Sequence, residues 1–269
     1  MKAIIVSTIA LALTIGATAQ TKPDTTNISL GDKRILIIDA NPKSDTLTVE
    51  PKDTVKEYKS EVSLVIGLDA GVNLLRTANG SLTMDSTANW LELNNGRSLA
   101  WRMHVLAANF PIYKNYIKIK TGLGFAWNGY GLKNDVTMQT RDSSAVYATV
   151  VDSAISYTKN KFRASYMTVP LLLELNSDKD EREFHLSVGA IGGWNMGSLI
   201  RQKWQDGDHD MDYKHKGDFN VNPFTLDATA RIGYKNFTLF AIYGLTPLFE
   251  KNKGPEVYPV TVGLQIIPW

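Results

Sequence analysis

From Glu61 onward the hydrophobic positions of this sequence recur at every second residue. Val62, Leu64, Ile66, Leu68, Ala70, Val72 and Leu74 alternate with mostly smaller or polar neighbours. The same rhythm returns in seven further stretches, at 99–107, 117–127, 167–175, 184–194, 224–234, 237–245 and 260–266. Side chains of a strand point alternately to its two faces, so each stretch predicts a half-buried strand and the eight together predict a sheet. Most of the strands cover 11–14 residues. Strands of soluble proteins cluster near about 5–6 residues, whereas a tilted strand that crosses a bilayer needs about 9–11. Short joins at 111–115, 176–182 and 235–236 alternate with long ones at roughly 75–97, 132–161, 198–221 and 250–257. Short turns on one rim and long loops on the other mark an up-and-down barrel of an outer membrane.

A soluble sandwich alternates too, so the two phases need weighing. The apolar phase carries no formal charge. The other carries Asp69, Arg102, Lys118, Lys120, Glu174, Asp227 and Arg231, with His104 and His185. Both architectures satisfy that count. Glycine separates them, because Gly67, Gly71, Gly122, Gly124, Gly189, Gly193, Gly233, Gly244 and Gly263 all lie on the polar phase. Glycine weakens a strand that faces water but fits the crowded lumen of an eight-stranded barrel. Trp127, Trp194, Phe224, Tyr234, Phe237 and Tyr258 stand near strand ends, where aromatic girdles meet the membrane interfaces. The expectation is an all-β, eight-stranded antiparallel up-and-down transmembrane β-barrel over residues 61–269. Leu106, Phe240 and Ile242 are expected to add apolar bulk inside it.

The first sixty residues read differently. Lys2, the uncharged run from Ala3 to Gly16 and the small residues Ala17-Thr18-Ala19 form a secretory signal peptide, 1–19, cleaved before Gln20. Residues 20–60 are rich in Thr, Asp and Lys, with short apolar patches at 28–30, 34–38 and 47–49. They predict a short periplasmic N-terminal extension with one or two strands. The sequence has no Cys, which removes disulfides and thiol chemistry. With 29 basic and 27 acidic residues its net charge is +2, which supplies no field for nucleic acid.

Several stretches resemble the PorT-like outer-membrane β-barrel family. They are Asn160-Lys161-Phe162-Arg163-Ala164-Ser165-Tyr166-Met167-Thr168-Val169-Pro170-Leu171-Leu172, Lys120-Thr121-Gly122-Leu123-Gly124 and Arg231-Ile232-Gly233-Tyr234. The resemblance covers about 61–269 and implies a signal peptide, eight strands and an outer-membrane location. Most members of that family have no established activity, and a role in protein secretion belongs to a few. Trp269, behind Ile266-Ile267 and Pro268, resembles the aromatic C-terminal signal that barrel-assembly machinery reads.

Three constellations have chemical potential. His185 and Ser187 share a strand face, and a turn centred near 179 or 180 would set Glu174 opposite His185. A nucleophile needs a base within hydrogen-bond reach. A packed interior pair is the favoured reading, because the group lies in the lumen at the periplasmic end. Asp206, Asp208, Asp210 and Asp212 alternate and would face one way in an extended segment, yet Met211 and Gly217 depart from a calcium loop, so a solvated loop is expected. Arg163, beside Lys161 at the outer rim, is placed either to meet lipopolysaccharide phosphates or to serve as an ordinary interfacial arginine. The function expected is a non-catalytic structural or interaction barrel without cofactor, metal or catalytic residues. Its partners would be outer-membrane lipid and lipopolysaccharide, the barrel-assembly machinery during insertion, and a periplasmic or extracellular protein. A narrow pore or an outer-membrane lipid-modifying enzyme is the alternative.

Overall fold

The structure is a computed structural model that describes residues 25–30, 33–38, 60–86, 88–140, 146–150, 155–178 and 183–269. The expected signal peptide and the apolar patch at 47–49 lie outside the described residues. The chain divides into two compact units, one ending at Val55 and one starting at Lys56. In the first, β1 (Thr25–Leu30) and β2 (Lys33–Ile38) form an antiparallel hairpin in which Thr25 pairs with Ile38.

The second unit is one antiparallel sheet with a small accessory hairpin. Its strands are β3 (Glu61–Thr77), β4 (Leu99–Tyr113), β5 (Ile117–Gly131), β6 (Val136–Thr140), β7 (Val146–Val150) and β8 (Tyr157–Asn176). They continue through β9 (Phe184–Asp206), β10 (His209–Gly217), β11 (Phe224–Tyr234), β12 (Phe237–Gly244) and β13 (Val257–Ile267). The large sheet runs β10-β9-β11-β12-β13-β3-β4-β5-β8, and β8 also pairs with β9. That last pairing closes the sheet on itself, leaving no open edge in the ring. The sheet therefore holds nine strands where the alternation predicts eight. The extra one, β10, is the returning arm of a hairpin on the far end of β9, and β6 pairs with β7 apart from the sheet. Two of the expected long loops are thus largely strands. In β10 the alternation is masked because polar residues occupy both phases from His209 to Gly217.

The apolar phase faces outward. Leu64 is 88% exposed, Ile66 75% and Leu171 58%, with their polar-phase neighbours turned inside. Phe184 pairs with Tyr234 at one end of the β9–β11 ladder and Trp194 with Phe224 at the other, with ring centroids 6.4 Å apart in the second pair. Ten residue steps separate the two layers. That is about 33 Å of strand, or about 25 Å of height at the tilt of such barrels, which matches the apolar band of an outer-membrane wall.

Two expected positions are overturned. Val105 is an extra residue between the pairs His104–Gly124 and Leu106–Leu123, a β-bulge that reverses the phase of β4. Leu106 thereby joins Leu64 on the outer face, and Ala107 turns inward opposite Gly122, 1% exposed. Phe240 and Ile242 do lie inside, packed with Ile191.

The outward phase makes a direct prediction. Leu171→Arg, mid-wall on β8, should cost about 2–4 kcal/mol of folding stability in a bilayer. Equilibrium refolding into lipid vesicles measures it, and a cost below about 0.5 kcal/mol would contradict a lipid-facing Leu171.

Candidate functional site

The short-turn half of the interior is a buried ionic network. Asp69 on β3 accepts hydrogen bonds from Arg231 Nη2 on β11 at 2.8 Å and from His104 Nε2 on β4 at 3.1 Å. Asp69 and Arg231 lie on strands that are not neighbours in the ring, so their bond spans the lumen. Nearer the long-loop ends of β4 and β11, Asp227 attracts the buried Arg102. On the other side, Lys118 and Lys120 of β5 hold Glu174 of β8 at 3.0 and 3.3 Å. Low dielectric makes such pairs strong and makes an unpaired member costly, so each charge demands its partner.

Trp269 seals this layer. Ile266 is an extra residue between the pairs Gln265–Asp69 and Ile267–Leu68, and the chain then turns inward. The indole stacks on His104 with centroids 4.1 Å apart and planes at 15°, and the Arg231 guanidinium lies 5.3 Å from its centre. The Trp269 carbonyl accepts from Lys120 Nζ at 2.8 Å. Gly67 makes the space for this ring, since a β-carbon there would stand 2.5 Å from Trp269 Cβ. Beneath the seal a recess of about 190 Å³ opens at the rim, bounded by Trp269, Arg231 and Glu174.

The His-Ser-carboxylate grouping is not assembled as expected. The β8–β9 register sets Glu174 opposite Ser187 and Asn176 opposite His185, two residues away from the expected pairing. Ser187 Oγ donates to Glu174 Oε2 at 3.1 Å, while His185 Nε2 meets Thr238 Oγ1 at 2.9 Å. A serine hydroxyl has one proton, and here it goes to a carboxylate already held by two lysines. The imidazole expected beside the serine is bonded to Thr238 instead.

The long-loop half holds an apolar core, a feature that reading the strands singly misses. Tyr130, Phe162 and Ile200 point inward, and Leu91, Phe219 and Phe249 fold onto them from the loops, all 3% exposed or less. Phe162 meets Phe219 edge-on at 5.6 Å and Phe249 at 6.5 Å. The available signal was the presence of Tyr130, Phe162 and Tyr166 on the otherwise polar phase, whereas Ile200 is turned inward by the extra residue Met196 between the pairs Tyr166–Asn195 and Ser165–Gly197.

The alternating aspartates also separate. The turn at Gly207-Asp208 places Asp206 opposite His209 and Asp212 opposite Lys203, so Asp206 and Asp212 face opposite sides of the hairpin. Asp212 is held by Arg201 through bonds of 3.0 and 2.6 Å and by Lys203 at 3.4 Å. Hydrogen bonding to Arg201 keeps its carboxyl below the usual carboxylate range. Among the described residues no group of three or more His, Asp or Glu side chains is arranged to hold a metal ion. Arg163 lies on the outer wall near the long-loop rim, in register with Leu199 and Gly129, as its phase predicts.

Residues 63–250 match the model of the outer membrane protein beta-barrel domain. The chain belongs to that family. Membership and the closed ring together place it in the bacterial outer membrane, with the apolar wall in the lipid. Among solved structures the chain is similar to Ail, the attachment invasion locus protein of Yersinia pestis, at 10% identity and a TM-score of 0.31. The match covers 77% of this chain and 94% of Ail. A second Ail structure, in complex with the heparin analogue sucrose octasulfate, matches at 9% identity with the same TM-score and the same coverage. No curated protein matches the chain.

Proposed function

We propose that this family member is a non-conducting, non-catalytic barrel whose membrane unit is the ring of eight strands that β8–β9 pairing closes. It serves as a structural and interaction element of the envelope. The observation that carries this reading is an interior occupied at two levels. The Asp69–Arg231 network and Trp269 fill the periplasmic half, and the Phe162 core fills the outer half. With the lumen occupied, partners are met by the outer hairpins and by the periplasmic extension. Residues 1–19 act as the cleaved signal, and the 160–172 stretch supports a place in the PorT-like branch.

Planar-bilayer recording tests it. The purified protein should insert without stable single-channel steps at either polarity. Reproducible ion-selective steps would replace the scaffold with a narrow pore.

A further inference from the structure

Above the aromatic layer, the β8–β9 wall carries an arrangement that the fold alone does not favour. Lys159 stands directly opposite Lys203, and Lys161 directly opposite Arg201. Like charges facing each other across a ladder destabilise it. Here two consecutive same-face pairs are cationic, and Arg163 follows on the same face. Asp212 offsets only Arg201 and Lys203.

Lys159, Lys161, Arg163 and Arg201 border a groove of about 210 Å³ whose apolar side is formed by Leu99, Trp101 and Trp127. All three belong to the lipid-facing phase, and Leu99 and Trp101 are 40% and 43% exposed. Gly129 lets Lys161 lie flat across β5. A β-carbon there would collide with the lysine stem and stand 2.8 Å from its Nζ. The ammonium is thus held over the strand immediately beyond Trp127, where a bilayer changes from acyl chain to headgroup.

We infer that this groove binds a phosphorylated glycolipid of the outer leaflet, the cations taking its phosphate and the tryptophans its acyl chains. The inference goes beyond the scaffold reading and does not depend on a closed lumen. A lipid fits better than a soluble anion because the groove is cationic only on its upper side. Its lower side continues the lipid-facing wall, which a soluble polyanion would leave uncovered. Guanidinium and ammonium donors on neighbouring strands suit phosphate oxygens, which accept several charge-assisted bonds at once.

The test uses the full-length protein in detergent micelles, titrated with fluorescent diphosphoryl lipid A. Expected is at least tenfold tighter binding than for the dephosphorylated lipid. Lys161→Gln with Arg163→Gln should lose at least tenfold of that affinity while keeping heat-modifiable mobility on gels. Lys114→Gln with Lys235→Gln, the same charge change at the opposite rim, should leave binding unchanged. If the outer-wall pair fails to fold, Arg163→Gln alone, at an exposed position, is read the same way with a threefold loss expected. Equal binding of the dephosphorylated lipid, or unchanged binding by the outer-wall variants, overturns the inference. So does competition by glucose 1-phosphate at the concentration at which the lipid itself competes, or selective binding of heparin in place of lipid A.

Discussion

Asp69→Ala is expected to destabilise the barrel by about 3–5 kcal/mol, the usual cost of leaving a buried charge without its partner. Asp69 is fully buried and accepts from both Arg231 and His104. Its loss leaves the Arg231 guanidinium without the carboxylate that accepts from it, in a lumen that also contains the buried Arg102. Urea titration of the protein refolded in lipid vesicles, read by tryptophan fluorescence and by heat-modifiable mobility, measures the effect. Replacing both ends, Asp69→Leu with Arg231→Met, should recover most of it, because two apolar side chains remove the unpaired charge rather than expose it. A single variant within about 1 kcal/mol of the parent would show that the lumen is wet enough to solvate Arg231, and would weaken the closed-interior reading.

Trp269→Ala is expected to cost a further about 3–5 kcal/mol in the same assay, as for other buried tryptophans. It deletes the ring stacked on His104 and leaves a cavity lined by Gly67 and Arg231. The variant should nevertheless conduct no better than the parent in planar bilayers. Tyr130, Phe162 and Ile200 remain packed in the outer half of the lumen, and the loops above them bring Leu91 and Phe249 onto that core. Stable channels from Trp269→Ala alone would move the seal entirely to the periplasmic side. The two readouts separate, since stability follows the lower layer while conductance follows both.

Period-two alternation from Val62 to Ile266 was enough to identify an outward apolar phase and an inward polar one, because a strand has two faces and lipid accepts no charge on its own. The inward places of Asp69, Arg102, Lys118, Glu174 and Arg231 followed from the same count, and all are buried. Short joins at Lys235-Asn236 and after Asn176 were legible because few residues separate the flanking alternations. What the alternation could not reveal is whichever feature depends on one residue more or less. The bulge at Val105 sends Leu106 outward, and the one at Ile266 precedes the turn of Trp269 into the lumen. A turn centred one residue further along gives Glu174 to Ser187 and leaves His185 to Thr238. Each is a choice of register, decided by how neighbouring strands pack.

The sequence by itself determined the fold class, which phase of each strand meets lipid up to the first bulge, and the sign of every charge in the interior, since these depend only on local chemistry and a period of two. Tertiary structure alone decided the partners. Asp69 and Arg231 are 162 positions apart in the chain, and only closure of the ring brings them within 2.8 Å. The same holds for Lys159 beside Lys203 and for Phe162 beside Phe249, whose contacts depend on strand register and loop folding that no single strand encodes. A pattern along one strand reports which face a side chain occupies, whereas its neighbour across a lumen or a ladder is set by the shear and closure of the whole barrel.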